Sequence, residues 1–195
     1  MNLPNKLTLA RVILVPVFML FAALARIGTP QYSAAACLVA GIVFAVASFT
    51  DFLDGYLARK NHLVTDFGKF MDPLADKMLT TAAFLYMMAD GVCHPVVLAI
   101  ILFREFAVAG VRMIAAGSGT VIAANLWGKV KTVLQMLTII FYYFASAIAP
   151  ALEPATGIAG ISIVTQVLCW LVAAVTALSG GIYLWQNRAC FMQAK

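Results

Sequence analysis

Long apolar runs divide this chain, and each is about the length of a membrane crossing. Residues 7–27 are mostly apolar, and further predominantly apolar, helix-length spans follow over residues 32–50, 68–88, 95–116, 125–148 and 158–183, the third and fourth interrupted by charges. A hydrocarbon core of roughly 30 Å needs about 20 residues of α-helix. A helix satisfies its own backbone polar groups, as a lipid-embedded segment must. The runs therefore predict an all-α integral membrane protein with six transmembrane helices. Composition agrees: 64% of residues are hydrophobic and 11% charged, against roughly 25% charged in soluble domains. A length of 195 residues suits a single membrane domain over residues 1–195. The net charge of +5 does not indicate nucleic acid, because the bases lie beside apolar runs and form no stripe on a polar helix. They read as topology signals and anionic-ligand contacts. The four cysteines show no C-x-x-C spacing and read as apolar fillers.

Breaks between the runs fix their order. Asn5 is placed to cap the first helix, which continues into a full span rather than a cleavable leader, with Pro16 expected to kink it. Residues 28–30 (Gly-Thr-Pro) turn the chain into the second span, whose helical pattern runs past the membrane surface to Arg59. Residues 60–66 form a polar connection containing His62, read as a loop histidine, and Asp66, read as a cap. Asp90-Gly91 marks the next turn, His94 sits at the far interface, and residues 150–157 form the last turn. Lys6, Arg59, Lys60, Lys69, Lys129, Lys131, Arg188 and Lys195 fall on one side of this arrangement, and the opposite loops carry Arg26 alone. The positive-inside rule then puts both termini in the cytoplasm.

Residues 51–76, DFLDGYLARKNHLVTDFGKFMDPLAD, hold five of the eight acidic residues. At about 100° per residue, Asp51, Asp54, Gly55, Ala58 and Arg59 share one arc of roughly 140° on a helix. Gly68, Asp72 and Asp76 form an i, i+4, i+8 stripe on the next helix. Facing each other, the two helices would converge four carboxylates, with small residues leaving room for a bulky group. Hard divalent cations take such oxygen donors, commonly together with substrate phosphates, and a metal pair can clamp an in-line displacement at phosphorus. Pro73 directly follows Asp72, so either the helix starts there with Asp72 as its cap, or it is kinked at the site.

The pattern Asp51-x2-Asp54-Gly55-x2-Ala58-Arg59-x8-Gly68-x3-Asp72-x3-Asp76 resembles the signature of the CDP-alcohol phosphatidyltransferase family. The resemblance implies a polar cavity open to the cytoplasm, a homodimer, and transfer of a phosphatidyl group from a CDP-linked donor with release of CMP. It implies two ions, Mg2+ or Mn2+, held by Asp51, Asp54, Asp72 and Asp76, with Asp76 as general base. Gly55 and Ala58 would let the nucleotide lie close, Arg59 would bind its phosphates, and Gly68 lines the same place. Asn5 and Thr8, at the start of the first helix with Arg11, would contact the nucleotide. Locally, the same three residues read equally well as cap, back-bonded hydroxyl and snorkelling base.

The opening NLPNKLTLARVILVP and residues 104–132 are similar to the branch of that family whose donor is CDP-diacylglycerol and whose acceptor is glycerol 3-phosphate. Such an acceptor needs bases outside the signature, and Arg104, Arg112, Lys129 and Lys131 are available for its phosphate. Arg104 and Glu105 lie inside an apolar run, where ionisable residues are costly and face a polar interior. Two rivals stay open at this stage: a relative using another acceptor, as in cardiolipin, phosphatidylinositol phosphate or phosphatidylserine synthesis, and a cation transporter using the acids as its ion site. The expected location is a bacterial cytoplasmic membrane, with the acids facing the cytoplasm.

Overall fold

A computed structural model describes the backbone of residues 3–27, 29–60, 66–117, 126–151 and 154–188, and their side chains apart from residues 3–8, 51–60, 66–73, 76, 116, 150 and 154–158. Among the described residues the fold is helical throughout. Six helices follow in order: α1 (Leu3–Leu24), α2 (Pro30–Lys60), α3 (Asp66–Ala89), α4 (Pro95–Gly117), α5 (Leu126–Ile148) and α6 (Pro154–Gln186). A 3-10 turn, Ala149–Ala151, separates the last two. Pro30–Thr50, Leu126–Ile148 and Ala159–Gln186 are long and apolar enough to cross a membrane, and Leu9–Leu24 is a shorter apolar stretch.

The helix limits refine several expectations. α1 already includes Asn5 and starts by Leu3, so Asn5 lies inside the first turn and does not cap it. Pro4 occupies an early helical position, where its fixed φ and missing N–H cost little. α1 and α3 run unbroken through Pro16 and Pro73, so α3 starts at Asp66 and not at Pro73. α2 has 31 residues, about 46 Å at 1.5 Å per residue, and outruns a hydrocarbon core of about 30 Å as its sequence indicates. α6 starts at Pro154, four residues before the apolar run, because proline suits a helix's first position. His62 lies outside the described residues.

The helices pack in a ring. α1 lies between α3 and α2, α2 continues to α5, α5 to α6 and α6 to α4, and a lighter contact of α4 with α3 closes the circuit. The core is an aromatic cluster around Phe18 of α1, whose ring centroid lies 5.8 Å from Phe44, 5.3 Å from Tyr143 and 6.4 Å from Tyr86. Phe18 and Phe44 are fully buried, together with Phe84, Met87 and Ile139. Gly41 sets the spacing of α2 and α5, because a Cβ there would stand 3.2 Å from the Phe144 ring and from Tyr143 Cβ.

At one end, side chains tie the loops together. Arg26 Nε donates to Asp90 Oδ1 at 2.8 Å, and the Tyr142 hydroxyl donates to Asp90 Oδ2 at 2.7 Å. The Arg26 guanidinium also bonds the Tyr86 carbonyl and lies 4.7 Å from the centre of its ring. Burial opposes the Arg26 charge, but the Asp90 hydrogen bond and charge outweigh it and hold the guanidinium pKa above its ordinary value. Gly91 completes the turn with φ +75°, a left-handed conformation that glycine adopts without strain. His94 Nδ1 accepts the Val96 N–H at 3.2 Å at the start of α4, and its ring stacks on Trp170.

Candidate functional site

The opposite end carries the acidic stretch. Asp51, Asp54, Gly55, Ala58 and Arg59 lie on the extension of α2 beyond Thr50, and Gly68, Asp72 and Asp76 lie on the first turns of α3. Asn5 and Thr8 lie on the first turns of α1, which packs on both. The side chains of these ten residues are outside those described. Among the described residues no group of three His, Cys, Asp or Glu side chains gathers to hold a metal ion. The chemistry of the donor set fits a hard divalent cation: four carboxylates on two helices joined by a short connection. Arg11, one turn beyond Thr8, is fully buried and so does not snorkel to the surface.

Next to these helices is a cluster built on Glu105 of α4. Its Oε1 accepts from the Lys131 ammonium of α5, and Arg104 Nη1 lies 3.4 Å from the same oxygen. Lys77 of α3 has its Nζ 3.9 Å from Oε2. One carboxylate thus joins bases from three helices. Lys131 points inward because it starts the buried stripe of α5, which continues through Gln135, Thr138, Ile139, Tyr142 and Tyr143. Lys129, two residues earlier, is about 200° round the helix and exposed.

Arg104 is held by the absence of side chains. A Cβ on Gly180 of α6 would come within 2.8 Å of Arg104 Cγ, and one on Gly128 of α5 within 3.2 Å of Nη2. The arginine therefore threads between two glycines on two helices, and its side chain is only 12% exposed. Arg112 does not join the Glu105 cluster: its Nε donates to the Tyr183 hydroxyl of α6 at 3.3 Å, and its guanidinium lies 5.7 Å from the centre of that ring. Of the four bases singled out from sequence, the structure brings together Arg104 and Lys131. It adds Lys77 and Glu105. A lysine one residue after Asp76 and a glycine in a small-residue helix are weak signals alone, which is why Lys77 and Gly180 escape a reading of single helices.

Beside Arg104, the outer surface between α4 and α6 forms an apolar groove of about 540 Å3, running from Val96 to Leu184. A second, more polar hollow of about 400 Å3 lies at the Arg26–Asp90 end. The first is lined almost wholly by hydrocarbon.

Residues 1–178 match the model of the CDP-alcohol phosphatidyltransferase family. The chain belongs to the CDP-alcohol phosphatidyltransferase family. A relative from Bacillus subtilis is 46% identical over 143 residues, covering 71% of this chain and 74% of its own. One from Rickettsia felis is 35% identical over 189 residues, 97% of this chain and 95% of its own. A third, from Haemophilus influenzae, is 36% identical over 144 residues, 71% of this chain and 73% of its own. All three are named CDP-diacylglycerol–glycerol-3-phosphate 3-phosphatidyltransferase. In this CDP-alcohol phosphatidyltransferase the acidic part of α2 directly follows the apolar segment Pro30–Thr50.

Proposed function

We infer that this chain transfers the phosphatidyl group of CDP-diacylglycerol to sn-glycerol 3-phosphate, giving phosphatidylglycerol phosphate and CMP. The family match and the shared name of relatives up to 46% identical carry this reading. The Glu105 cluster favours it over family members with uncharged acceptors. Among the described side chains, Arg104, Lys131 and Lys77 gather at one carboxylate, a set of donors suited to a phosphate monoester. Arg112 and Lys129 lie on the same two helices and extend the positive field outward.

Asp51, Asp54, Asp72 and Asp76 are the residues that would hold Mg2+ or Mn2+, as two ions. When bound, the metal supplies charge stabilisation at the phosphoryl oxygens and at the departing CMP. Gly55, Ala58 and Gly68 let the nucleotide approach the helix backbone. Arg59 binds its phosphates through a guanidinium fork, and Asn5 and Thr8 contact the nucleotide from α1. Asp76 takes the proton of the acceptor hydroxyl as that oxygen attacks the phosphorus bearing diacylglycerol, and the bond to the CMP oxygen breaks. Asp76 precedes Lys77 by one residue, about 1.5 Å along α3, so the base and the acceptor's phosphate site lie at one level.

In this reading all six helices cross a bacterial cytoplasmic membrane as one domain. They surround a polar cavity open to the cytoplasm, both termini lie on that side, and the protein works as a homodimer. The test is product analysis of purified protein with CDP-diacylglycerol and a panel of alcohols. Phosphatidylglycerol phosphate and CMP should form from glycerol 3-phosphate, stop on chelation and return with Mg2+ or Mn2+. Preference for inositol phosphate, serine or phosphatidylglycerol would overturn the acceptor assignment, and full activity in excess EDTA would overturn the metal assignment.

A further inference from the structure

We propose that Glu105 is a positioning residue for the acceptor: it holds Lys77, Arg104 and Lys131 converged as a phosphate pocket. The proposal rests on the functional reading above and deepens it. Glu105 faces three cations: Lys131 bonded to Oε1, Arg104 Nη1 at 3.4 Å from that oxygen, and Lys77 Nζ at 3.9 Å from the other. The Glu105 side chain is itself only 17% exposed. The Lys131 and Arg104 side chains are 5% and 12% exposed, so little water screens the repulsion between their charges. Lys77, at 36%, stands at the rim of the cluster. Without the carboxylate, the lysines on their flexible stems would separate. With it, the bases stay together as donors to a phosphate monoester. Each base comes from a different helix, so Glu105 also fixes how α3, with Asp76 beside Lys77, stands against α4 and α5. Arg104 has little freedom to adapt, with its stem packed against Gly180 and its tip against Gly128.

A side chain that served only packing would, when changed, depress folding or turnover without distinguishing the two substrates. The experiment therefore separates KM from kcat for each substrate, using the purified full-length protein with CDP-diacylglycerol and glycerol 3-phosphate. Glu105→Gln should raise KM for glycerol 3-phosphate about tenfold or more, as loss of a charge-assisted hydrogen bond does, with KM for CDP-diacylglycerol near the parent value. Glu105→Asp should recover part of the loss. Gly180→Ala should act in the same sense, because its new methyl must displace the Arg104 stem. A Glu105→Gln protein with an unchanged or lower acceptor KM, or with both substrates affected equally, overturns the proposal. If Glu105→Gln does not fold, Glu105→Asp and Gly180→Ala decide it, and parental acceptor KM in both is a negative result. Failure of the parent to use glycerol 3-phosphate would refute the functional reading instead. A raised acceptor KM in Lys131→Gln with a parental one in Glu105→Gln would refute this inference alone.

Discussion

The proposed function gives Asp76 two tasks, holding a cation and accepting a proton, and a single substitution separates them. Asparagine keeps the shape and one oxygen but cannot take the proton. Asp76→Asn should lose turnover by a factor on the order of 10² to 10⁴, the usual range for a missing general base, while still retaining CDP-diacylglycerol. Asp51→Asn should lose donor retention as well. Equal loss of donor binding in the two variants, measured by sedimentation with labelled donor, would make Asp76 chiefly a ligand. At this scale the sequence was informative where chemistry is dense: acids at fixed offsets with small residues between them leave few readings. It was uninformative about Arg11, whose full burial contradicts a snorkelling base although the two are identical on paper.

The helix face decides between the paired lysines of α5. Lys131 starts the buried stripe and Lys129 is exposed about 200° away, so residues two apart have different surroundings. Lys131→Gln should raise the acceptor KM about tenfold, the effect of removing one charged hydrogen bond, and Lys129→Gln should leave it near the parent value. Equal effects would mean that both lysines act only through the general field at the membrane surface. Element boundaries were largely legible, since apolar run length and proline position set them. Three departures, at Asn5, Pro73 and Pro154, concern how proline is accommodated near a helix start. What stayed hidden was rotation of one helix against another. Arg104 and Arg112 both lie on α4, yet Arg104 shares Glu105 with Lys131 while Arg112 meets Tyr183 on α6. Their spacing sets them about 80° and 12 Å apart on α4, but the partner each meets belongs to neighbouring helices, as Gly128 and Gly180 against Arg104 show.

At the scale of the whole molecule, three helices repeat one profile along their length. α1 passes from Arg11 through Phe18 to the Arg26 loop, α3 from Lys77 through Phe84 and Met87 to the Asp90 turn, and α5 from Lys131 through Ile139 to Tyr142. Lys131 and Tyr142 are eleven residues apart, about 16 Å of helix. The aromatic cluster around Phe18 packs across that interval, where Gln135 and Thr138 are the buried polar groups of α5, and its rings stand between the two charged ends. Proteoliposomes carrying the purified protein should therefore hold a cation gradient as long as protein-free vesicles do, read by an entrapped fluorescent indicator, and faster decay would show a conducting path. On the proposed function, gathering metal and charged substrates at one end of the bundle would then leave the membrane's ion gradient intact.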